Sequence, residues 1–540
     1  MPLTDAAAFQ KLRLGSSVAA LVSLRVQSAA SPMPPGKLLP AMEAAPLLAW
    51  TNKGAAPDAN GCAVHDLQVL PSAGSGGSGM QAMGGQGGVG TGRMTAPGSK
   101  DSPGPGDWTM FGGDLLNHRV NEHETSIGVR NVSSLQVLWS SSIAANTSTP
   151  MVVGDTIYIA TWDSKVHALD ARTGTDRWST ALRAIVDSSP AVNDTQVFIG
   201  DVSGWMYALE RSSGALQWSK PVDMHPSAHL SGSPTYVASA GLVITGVASS
   251  EENEIPPYTF RGNIVALDAR TGAERWRFFT TTADGASGPG VAVWAPASID
   301  EGRKLLFMGT GNTYSGTPAK YGDSLLALNY ETGALVWAKQ FTEGDVGTPI
   351  DSGEGPDFDI GAGANLFSIA GRDVVGIGSK NTFYTVLDRD TGSQIWATQV
   401  GELSPASGIG TTAAGIISSP AYVGDRIIAA SNRWPMPLDV TVAALDAERG
   451  QKLWQKTLDG VAFGGVMVAN GVAYLGTTNA TIVALDVATG DQLWTAQTPD
   501  AVAAGPVLAH GMLLVPWGYQ FTLVNGEPGN GGLTAYGIKP

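Results

Sequence analysis

Side chains that can bind a cation or move a proton fall in loops between the strands that this sequence predicts. Glu251 and Glu252 follow an apolar strand, Asp357 and Asp359 lie in the segment GPDFDIGAGANLF, and Lys380 follows the apolar run VVGIG. A carboxylate can accept a substrate proton, and oxygen atoms are the ligands that a hard cation such as Ca²⁺ takes. Whether these residues act together depends on the elements that position them.

One phrase occurs seven times in the chain and sets the architecture. It consists of an apolar pair, an acid or turn residue, a glycine-containing turn and a tryptophan, as in ALDARTGTDRW. Each copy ends a unit of alternating short strands, in which the acid can bond its own turn and the glycine supplies a positive φ. The middle units are about 18 residues longer than the outer ones, and the candidate residues fall in them. The copies end at Trp178, Trp218, Trp276, Trp337, Trp396, Trp454 and Trp494.

The pattern of each unit predicts four short strands, which would form a small antiparallel sheet. Both faces of that sheet must be buried. Stacking such sheets in a ring buries both faces. The sequence therefore predicts an all-β fold, an eight-bladed β-propeller with tryptophan-docking repeats, over residues 107–540. Two half phrases, LTAYGI near the C-terminus and LQVLW at residues 135–139, would combine into the eighth blade. The docking tryptophans are then packing residues between blades.

Composition excludes some classes of partner. The chain has 69 glycines, 43% hydrophobic and 15% charged residues, as expected for a large β domain. With a net charge of −15 it offers no basic stripe to neutralise phosphates, so we expect no nucleic-acid partner. No apolar run reaches the roughly 18 to 20 residues that a membrane-spanning helix requires, so we expect no membrane span.

The first hundred residues differ in kind from the repeats. Residues 1–70 predict an N-terminal leader with a signal-peptide outline, in which Lys11 and Arg13 precede an apolar stretch that Arg25 follows. This outline favours a periplasmic or secreted location. Residues 71–106, rich in Gly, Ser and Pro, predict a disordered linker. Neither a strand nor a helix flanks its GxG patterns, so they do not indicate a nucleotide site.

The phrase ALDxxTGxxxW, repeated around eight blades, resembles the tryptophan-docking repeat of the pyrroloquinoline quinone (PQQ) dehydrogenases, the quinoprotein alcohol dehydrogenases. The opening DWTMFGGDLLNHRVNEHETSI and the segment TFRGNIVALDARTG most resemble the polyvinyl-alcohol dehydrogenase branch. Assembly lipoproteins of the BamB type carry a similar repeat and bind no quinone. The repeat alone therefore indicates the fold, and the function depends on the site.

The resemblance implies PQQ and Ca²⁺ as cofactors. A flat o-quinone with three carboxylates needs an aromatic or apolar floor, cations and hydroxyls for its acids, and a divalent metal. By the family motifs, Trp294 would form the floor under the quinone ring and Ser231 would hold a cofactor carboxylate. Asn432 would be a further polar contact with the cofactor. The metal ligands would be Glu251, with Glu252 as the next candidate, and Asn312, which stands 18 residues after Trp294.

The same motifs imply the catalytic residues. They place the base that takes the alcohol proton on Asp357, with Asp359 as the alternative. Lys380, followed by Asn381 and eight residues before Asp388, matches the position that hydrogen-bonds the quinone oxygens. A cation there stabilises charge on the reduced cofactor.

Several features depart from the family pattern or exclude other chemistry. The chain reads NEIPPYTFRG where the polyvinyl-alcohol branch has an adjacent cysteine pair, and Phe463 stands where many relatives have a cofactor-contacting tryptophan. Both changes predict an altered pocket. His225 and His229 stand four apart, but Pro226 denies them a common helical face, so they do not indicate a zinc site.

The sequence thus predicts PQQ-dependent oxidation of an alcohol, secondary or polymeric in the manner of polyvinyl alcohol. No CxxCH motif is present, so the electrons would leave to a separate acceptor such as a cytochrome c. The alternative is a non-catalytic PQQ-like propeller that acts as a binding or assembly scaffold. A scaffold would have no use for Glu251, Asn312, Asp357 and Lys380 together.

Overall fold

Eight antiparallel sheets make up most of the chain that the computed structural model describes. The description covers residues 103–539 except 284, 350–354, 404–412, 435–437 and 520–528, and a separate pair of short strands, Leu12–Arg13 and Ser16–Ser17. Only two 3₁₀ turns, Val132–Ser134 and Glu251–Asn253, interrupt the strands there. The leader and linker boundaries predicted above lie almost wholly outside the described residues and stay predictions. Within those residues, no helix is long and apolar enough to cross a membrane.

Blades 1 to 8 are numbered along the chain, and each of blades 1 to 7 contains four strands that are consecutive in sequence. Blade 1 contains Met151–Val153, Thr156–Thr161, Lys165–Asp170 and Asp176–Ala181, and blade 2 contains Ala191–Val192, Gln196–Gly200, Trp205–Glu210 and Leu216–Pro221. Blade 3 contains Thr235–Val237, Leu242–Ser249, Asn263–Asp268 and Glu274–Phe279, with Ala228–His229 added beside its second strand. Blade 4 contains Ser298–Asp300, Leu305–Gly309, Ser324–Asn329 and Leu335–Gln340, and blade 5 contains Asn365–Ile369, Arg372–Gly378, Phe383–Asp388 and Gln394–Gln399.

The remaining blades show how the ring closes. Blade 6 contains Ala421–Val423, Arg426–Arg433, Asp439–Asp446 and Lys452–Asp459, and blade 7 contains Met467–Ala469, Val472–Thr477, Thr481–Asp486 and Gln492–Gln497. Blade 8 takes Val507–Ala509, Met512–Trp517 and Asn530–Gly537 from the C-terminal end and its outer strand, Gln136–Ala144, from the N-terminal side. This pairing confirms the eight-bladed propeller and its shared closing blade. First strands are largely buried and last strands are largely exposed, so each blade runs from the axis to the rim.

Each docking tryptophan packs on the following blade, as the repeat predicted. At seven junctions the indole Nε1–H donates to a backbone carbonyl in the next blade's turn. The donor and acceptor residues are Trp139 and Ala171, Trp178 and Arg211, Trp218 and Ala269, Trp276 and Tyr330, Trp337 and Arg389, Trp396 and Ala447, and Trp454 and Val487. At the eighth junction Trp494 meets Tyr536 edge-on instead, because the outer strand of blade 8 comes from elsewhere in the chain and no such turn exists.

Replacing Trp337 with phenylalanine should lower the free energy of unfolding by about 1 to 3 kcal/mol, because the indole hydrogen bond to the Arg389 carbonyl is lost together with ring contact. Urea unfolding would measure the change. Trp494→Phe is the matched control, since the described residues provide no carbonyl partner for its indole. Equal losses in both variants would show that the hydrogen bond contributes nothing.

A segment before the first blade, Trp108–Asn121, forms an inner strap. Its residues hydrogen-bond to the first strands of seven blades. The partners are Val152, Val192, Ile299, Leu366, Tyr422, Val468 and Leu508. Arg119 of the strap is fully buried and donates to the carbonyls of Phe111, Gly465 and Val466. Burial lowers the pKa of Arg119 to about 9. The strap therefore ties the first strands of these blades together at the axis.

Candidate functional site

Several of the candidate residues lie close together because they share one end of the blades. Neighbouring strands are antiparallel, so the loop before a first strand lies at the same end of a blade as the loop after its second strand. Four candidates follow second strands and four precede first strands in blades 3 to 5. They are Glu251, Glu252, Asn312 and Lys380 in the first group and Ser231, Trp294, Asp357 and Asp359 in the second.

Lys380 is buried between two carboxylates. Its Nζ lies 2.8 Å from Asp357 Oδ1 and 2.7 Å from Asp359 Oδ2, and its side chain is only 6% exposed. Burial acts to lower the pKa of Lys380, but the charges of Asp357, Asp359 and Glu252 outweigh it and hold the pKa above its ordinary value. We call Lys380 and these three acids the lysine–acid cluster. Its lysine remains a cation at neutral pH.

The two glutamates of the 3₁₀ turn Glu251–Asn253 face different neighbours. The carboxylate of Glu251 accepts the backbone N–H groups of Thr259 and Phe260, both at 2.7 Å, and so holds its own loop. Glu252 keeps part of its surface exposed, yet its carboxyl group lies among the charges of the lysine–acid cluster. Burial, with Asp359 and Asp357, raises the pKa of Glu252 to about 8 against the attraction of Lys380. The cluster thus has more carboxyl groups than its one cation can neutralise.

Asn312 joins blade 4 to this cluster. Its backbone N–H donates to Asp359 Oδ1 at 2.9 Å, and its side-chain Nδ2 donates to the carbonyl of Gly347 at 2.9 Å. The second bond directs the amide oxygen away from Gly347. Among the described residues, no three His, Cys, Asp or Glu side chains form a ready-made metal cage.

Trp294 presents a flat ring at this same end of the blades. It is half-buried, and its indole lies so close to Gly361 that a Cβ at that glycine would be 1.7 Å from the ring. Only glycine permits this contact. Trp294 lies outside the docking phrase, and the docking tryptophans already fill the packing role between these blades.

Two of the predicted cofactor contacts are engaged elsewhere. Ser231 Oγ donates to Asp187 Oδ2 at 3.1 Å, and burial raises the pKa of Asp187. The side-chain Nδ2 of Asn432 donates to the carbonyls of Ala413 and Ala462, and its Oδ1 accepts the Ala462 N–H. The contacts of neither residue reach the lysine–acid cluster, so both assignments stay predictions.

Asp345 contacts the turn that carries Asp357, and no sequence motif had indicated this residue. Its Oδ1 accepts the N–H of Asp357 at 3.1 Å and its Oδ2 accepts the N–H of Phe358 at 2.8 Å. It stands in an insertion after the outer strand of blade 4, at no regular spacing from the repeat. Its acidic character in that insertion was the one available signal.

Aromatic side chains lie at the same end of the propeller, on blades 7, 8 and 1. The rings of Phe463 and Tyr519 are 5.2 Å apart, and those of Trp162 and Tyr519 are 5.7 Å apart. Phe463 precedes the first strand of blade 7, whereas Trp162 and Tyr519 follow second strands. This group adds an apolar sector to the end that carries the charged cluster.

Similar proteins are known. The polyvinylalcohol dehydrogenase of Sphingopyxis sp. (strain 113P3) is 28% identical over 407 residues, which are 67% of this chain and 61% of that protein. A polyvinylalcohol dehydrogenase from a Pseudomonas species is 28% identical over 357 residues, 59% of this chain and 55% of that protein. This chain thus spans less than two thirds of the length of either relative. The crystal structure of quinohemoprotein alcohol dehydrogenase from Comamonas testosteroni matches with a TM-score of 0.66 at 21% identity, covering 80% of each chain, which shows a shared fold.

Two family models match different parts of the propeller. The model of outer membrane protein assembly factor BamB matches residues 438–532, which carry the repeat but none of the lysine–acid cluster. The model named PQQ, the β-propeller domain of glucose, ethanol and alcohol dehydrogenases, matches residues 108–414. That range contains the strap and the whole cluster and is more than half of the chain. By this match the chain belongs to the PQQ family of dehydrogenase β-propeller domains.

Proposed function

We propose that this propeller binds PQQ and Ca²⁺ at the lysine–acid cluster and oxidises an alcohol. The observation that carries the proposal is Lys380, buried between Asp357 and Asp359 beside Glu252. A buried cation amid surplus carboxylates is costly to form and has no part in blade packing. A scaffold would gain nothing from it, whereas a quinone site needs a cation, a base and metal ligands.

The donor set fits a hard divalent cation. One lysine faces three carboxyl groups, and burial raises the pKa of Glu252 to about 8, so a further positive charge would be favourable there. We assign the Ca²⁺ ligands to Glu252 and to the amide oxygen of Asn312. Glu251, the first candidate from the sequence, is a poorer ligand because both its oxygens already accept backbone N–H groups.

The surroundings also fit a flat quinone. Trp294 offers a ring face held in place by Gly361, and Lys380 offers the cation for quinone oxygens. When bound, PQQ would accept hydride from the alcohol carbon while Ca²⁺ polarises the receiving carbonyl. Ser231 and Asn432 remain proposed polar contacts; Ser231 would have to turn from Asp187 to reach a cofactor carboxylate.

Between the two candidate bases, we favour Asp357. Both oxygens of Asp359 already accept bonds, from Asn312 N–H and from Lys380, and its side chain is 7% exposed. Asp357 is 19% exposed, so an alcohol hydroxyl could reach its carboxylate. Asp357 would accept the hydroxyl proton, and Lys380 would keep the carboxylate ionised.

The substrate is proposed to be a secondary or polymeric alcohol. The apolar sector of Phe463, Tyr519 and Trp162 suits a carbon-rich chain, and similar proteins are named for polyvinyl alcohol. Electrons would pass to a separate acceptor such as a cytochrome c. The signal-peptide outline in residues 1–70 supports a periplasmic or secreted location.

Reconstitution tests this function. Purified protein treated with EDTA is titrated with PQQ in the presence and absence of Ca²⁺, and dye-linked oxidation of polyvinyl alcohol and small secondary alcohols is followed. We expect a saturable absorbance change and alcohol oxidation that both require Ca²⁺. Bound PQQ with no oxidation of any alcohol, or no PQQ binding, would favour the scaffold.

Glu252→Gln should weaken Ca²⁺ binding at least about tenfold, because a hard cation loses a charged oxygen ligand. Isothermal titration with Ca²⁺ would measure it. Glu251→Gln is the matched control one residue away and should instead lower the melting temperature, since its carboxylate holds the Thr259 and Phe260 amides. If only Glu251→Gln loses Ca²⁺ affinity, Glu251 is the metal ligand and Glu252 is not.

A further inference from the structure

The turn that carries both candidate bases is held by one carboxylate outside the lysine–acid cluster. Asp345 is 4% exposed and accepts two consecutive backbone amides, those of Asp357 and Phe358, one on each oxygen. The proposed reaction gives Asp345 no other part. A buried carboxylate that takes two adjacent N–H groups fixes the direction of the intervening peptide.

The conformation of this turn requires such support. Asp357 has φ +59°, a left-handed backbone that residues other than glycine adopt only when their surroundings impose it. On the other side, Gly355 lies so close that a Cβ there would be 1.9 Å from Asp345 Oδ1, and its N–H donates to the Val346 carbonyl. The backbone therefore wraps around the carboxylate of Asp345.

The segment of Asp345 is also fixed to the strand end that carries Asn312. The Thr313 N–H donates to the Asp345 carbonyl at 3.3 Å, and the Gly347 N–H donates to the Thr313 carbonyl at 2.9 Å. Gly347 in turn accepts the side-chain amide of Asn312. One short segment thus connects the proposed metal ligand to the turn of the proposed base.

Behind Asp345 lies a second buried acid, Asp323. Neither carboxyl oxygen of Asp323 has a hydrogen-bond partner among the described residues. Burial, with the charge of Asp345, raises the pKa of Asp323 well above its ordinary value. The neutral form of Asp323 that this favours adds no second negative charge beside Asp345.

We propose that Asp345 is a positioning residue, whose carboxylate fixes the Asp357–Phe358 peptide and so aims the carboxylates of Asp357 and Asp359 at Lys380. Its effect on turnover rests on the proposed function. The two hydrogen bonds from the Asp357 and Phe358 amides to Asp345, which we call the clamp, exist in the protein without cofactor. They can therefore be tested separately.

The test uses Asp345→Ala and Asp345→Asn in the full chain, with Glu343→Ala as the matched control. Glu343 is an exposed acid two residues away that none of the turn's amides contacts. Hydrogen exchange of the cofactor-free proteins should show the Asp357 and Phe358 amides exchanging at least about tenfold faster in Asp345→Ala. Asp345→Asn, which keeps one acceptor oxygen, should lie between it and the wild type.

After reconstitution, kcat should fall about 10- to 100-fold in Asp345→Ala, while KM and PQQ affinity change less than about threefold. Glu343→Ala should match the wild type in every readout.

Unchanged exchange at these two amides would overturn the clamp, and faster exchange with unchanged kcat would overturn the positioning role. If the wild type binds no PQQ, the proposed function fails, and the exchange data still decide the clamp. If Asp345→Ala does not fold, Asp345→Asn gives the same two comparisons.

Discussion

Replacing Lys380 with alanine should abolish PQQ-dependent turnover and lower the free energy of unfolding by about 3 to 5 kcal/mol, the range for breaking a buried ion pair. Lys380 is 6% exposed and contacts two carboxylates within 3 Å. Without it, Asp357, Asp359 and Glu252 face one another with no cation. The cofactor would also lose the charge that stabilises its reduced form. Denaturant unfolding and PQQ titration by absorbance measure the two effects.

A surface lysine provides the comparison for this variant. Lys304 pairs with Glu331 at 2.9 Å, but its side chain is 55% exposed, so Lys304→Ala should leave the stability almost unchanged. Lys380→Arg keeps the charge and can bond both carboxylates, so it should retain part of the PQQ affinity. If Lys380→Ala is as stable as Lys304→Ala and binds PQQ like the wild type, the lysine–acid cluster is not the cofactor site.

The fold was predictable because its packing is periodic. A tryptophan and a turn glycine recur in seven units because seven junctions between blades repeat the same contact, such as Trp337 on Gly392. The half phrases at the two ends had the right length to complete one sheet. The inner strap was recognisable only as a motif, since Trp108–Asn121 bonds to blades distant in sequence and follows no strand period.

The site was predictable as a set of residues but not in its details. Strand ends on consecutive blades converge, so Asn312, Asp357 and Lys380 could be placed together. Neighbouring positions could not be distinguished: Glu251 and Glu252 share one 3₁₀ turn, and only the fold decides which carboxylate turns to the loop amides. Likewise, nothing in sequence shows that Asn432 is taken up by backbone groups.

Asp357→Asn should reduce kcat by about 10² to 10⁴, the usual loss on removing a general base, while PQQ and Ca²⁺ binding persist. The amide keeps the size of the carboxylate and leaves the backbone N–H of residue 357 on Asp345. It cannot accept the hydroxyl proton at neutral pH, so hydride transfer is left without its coupled proton acceptor. Single-turnover reduction of bound PQQ by alcohol would measure the chemical step directly.

Asp359→Asn separates the two candidate bases, because Asp359 has a different set of contacts. It accepts the Asn312 N–H on one oxygen and Lys380 on the other, so its replacement should disturb the placement of a metal ligand and of the cation. We therefore expect Asp359→Asn to weaken Ca²⁺ and PQQ binding and to raise KM. If instead Asp359→Asn binds both cofactors normally and loses the 10² to 10⁴ in kcat, while Asp357→Asn keeps full turnover, the base is Asp359. Asp357 would then serve only to hold Lys380 in its buried position.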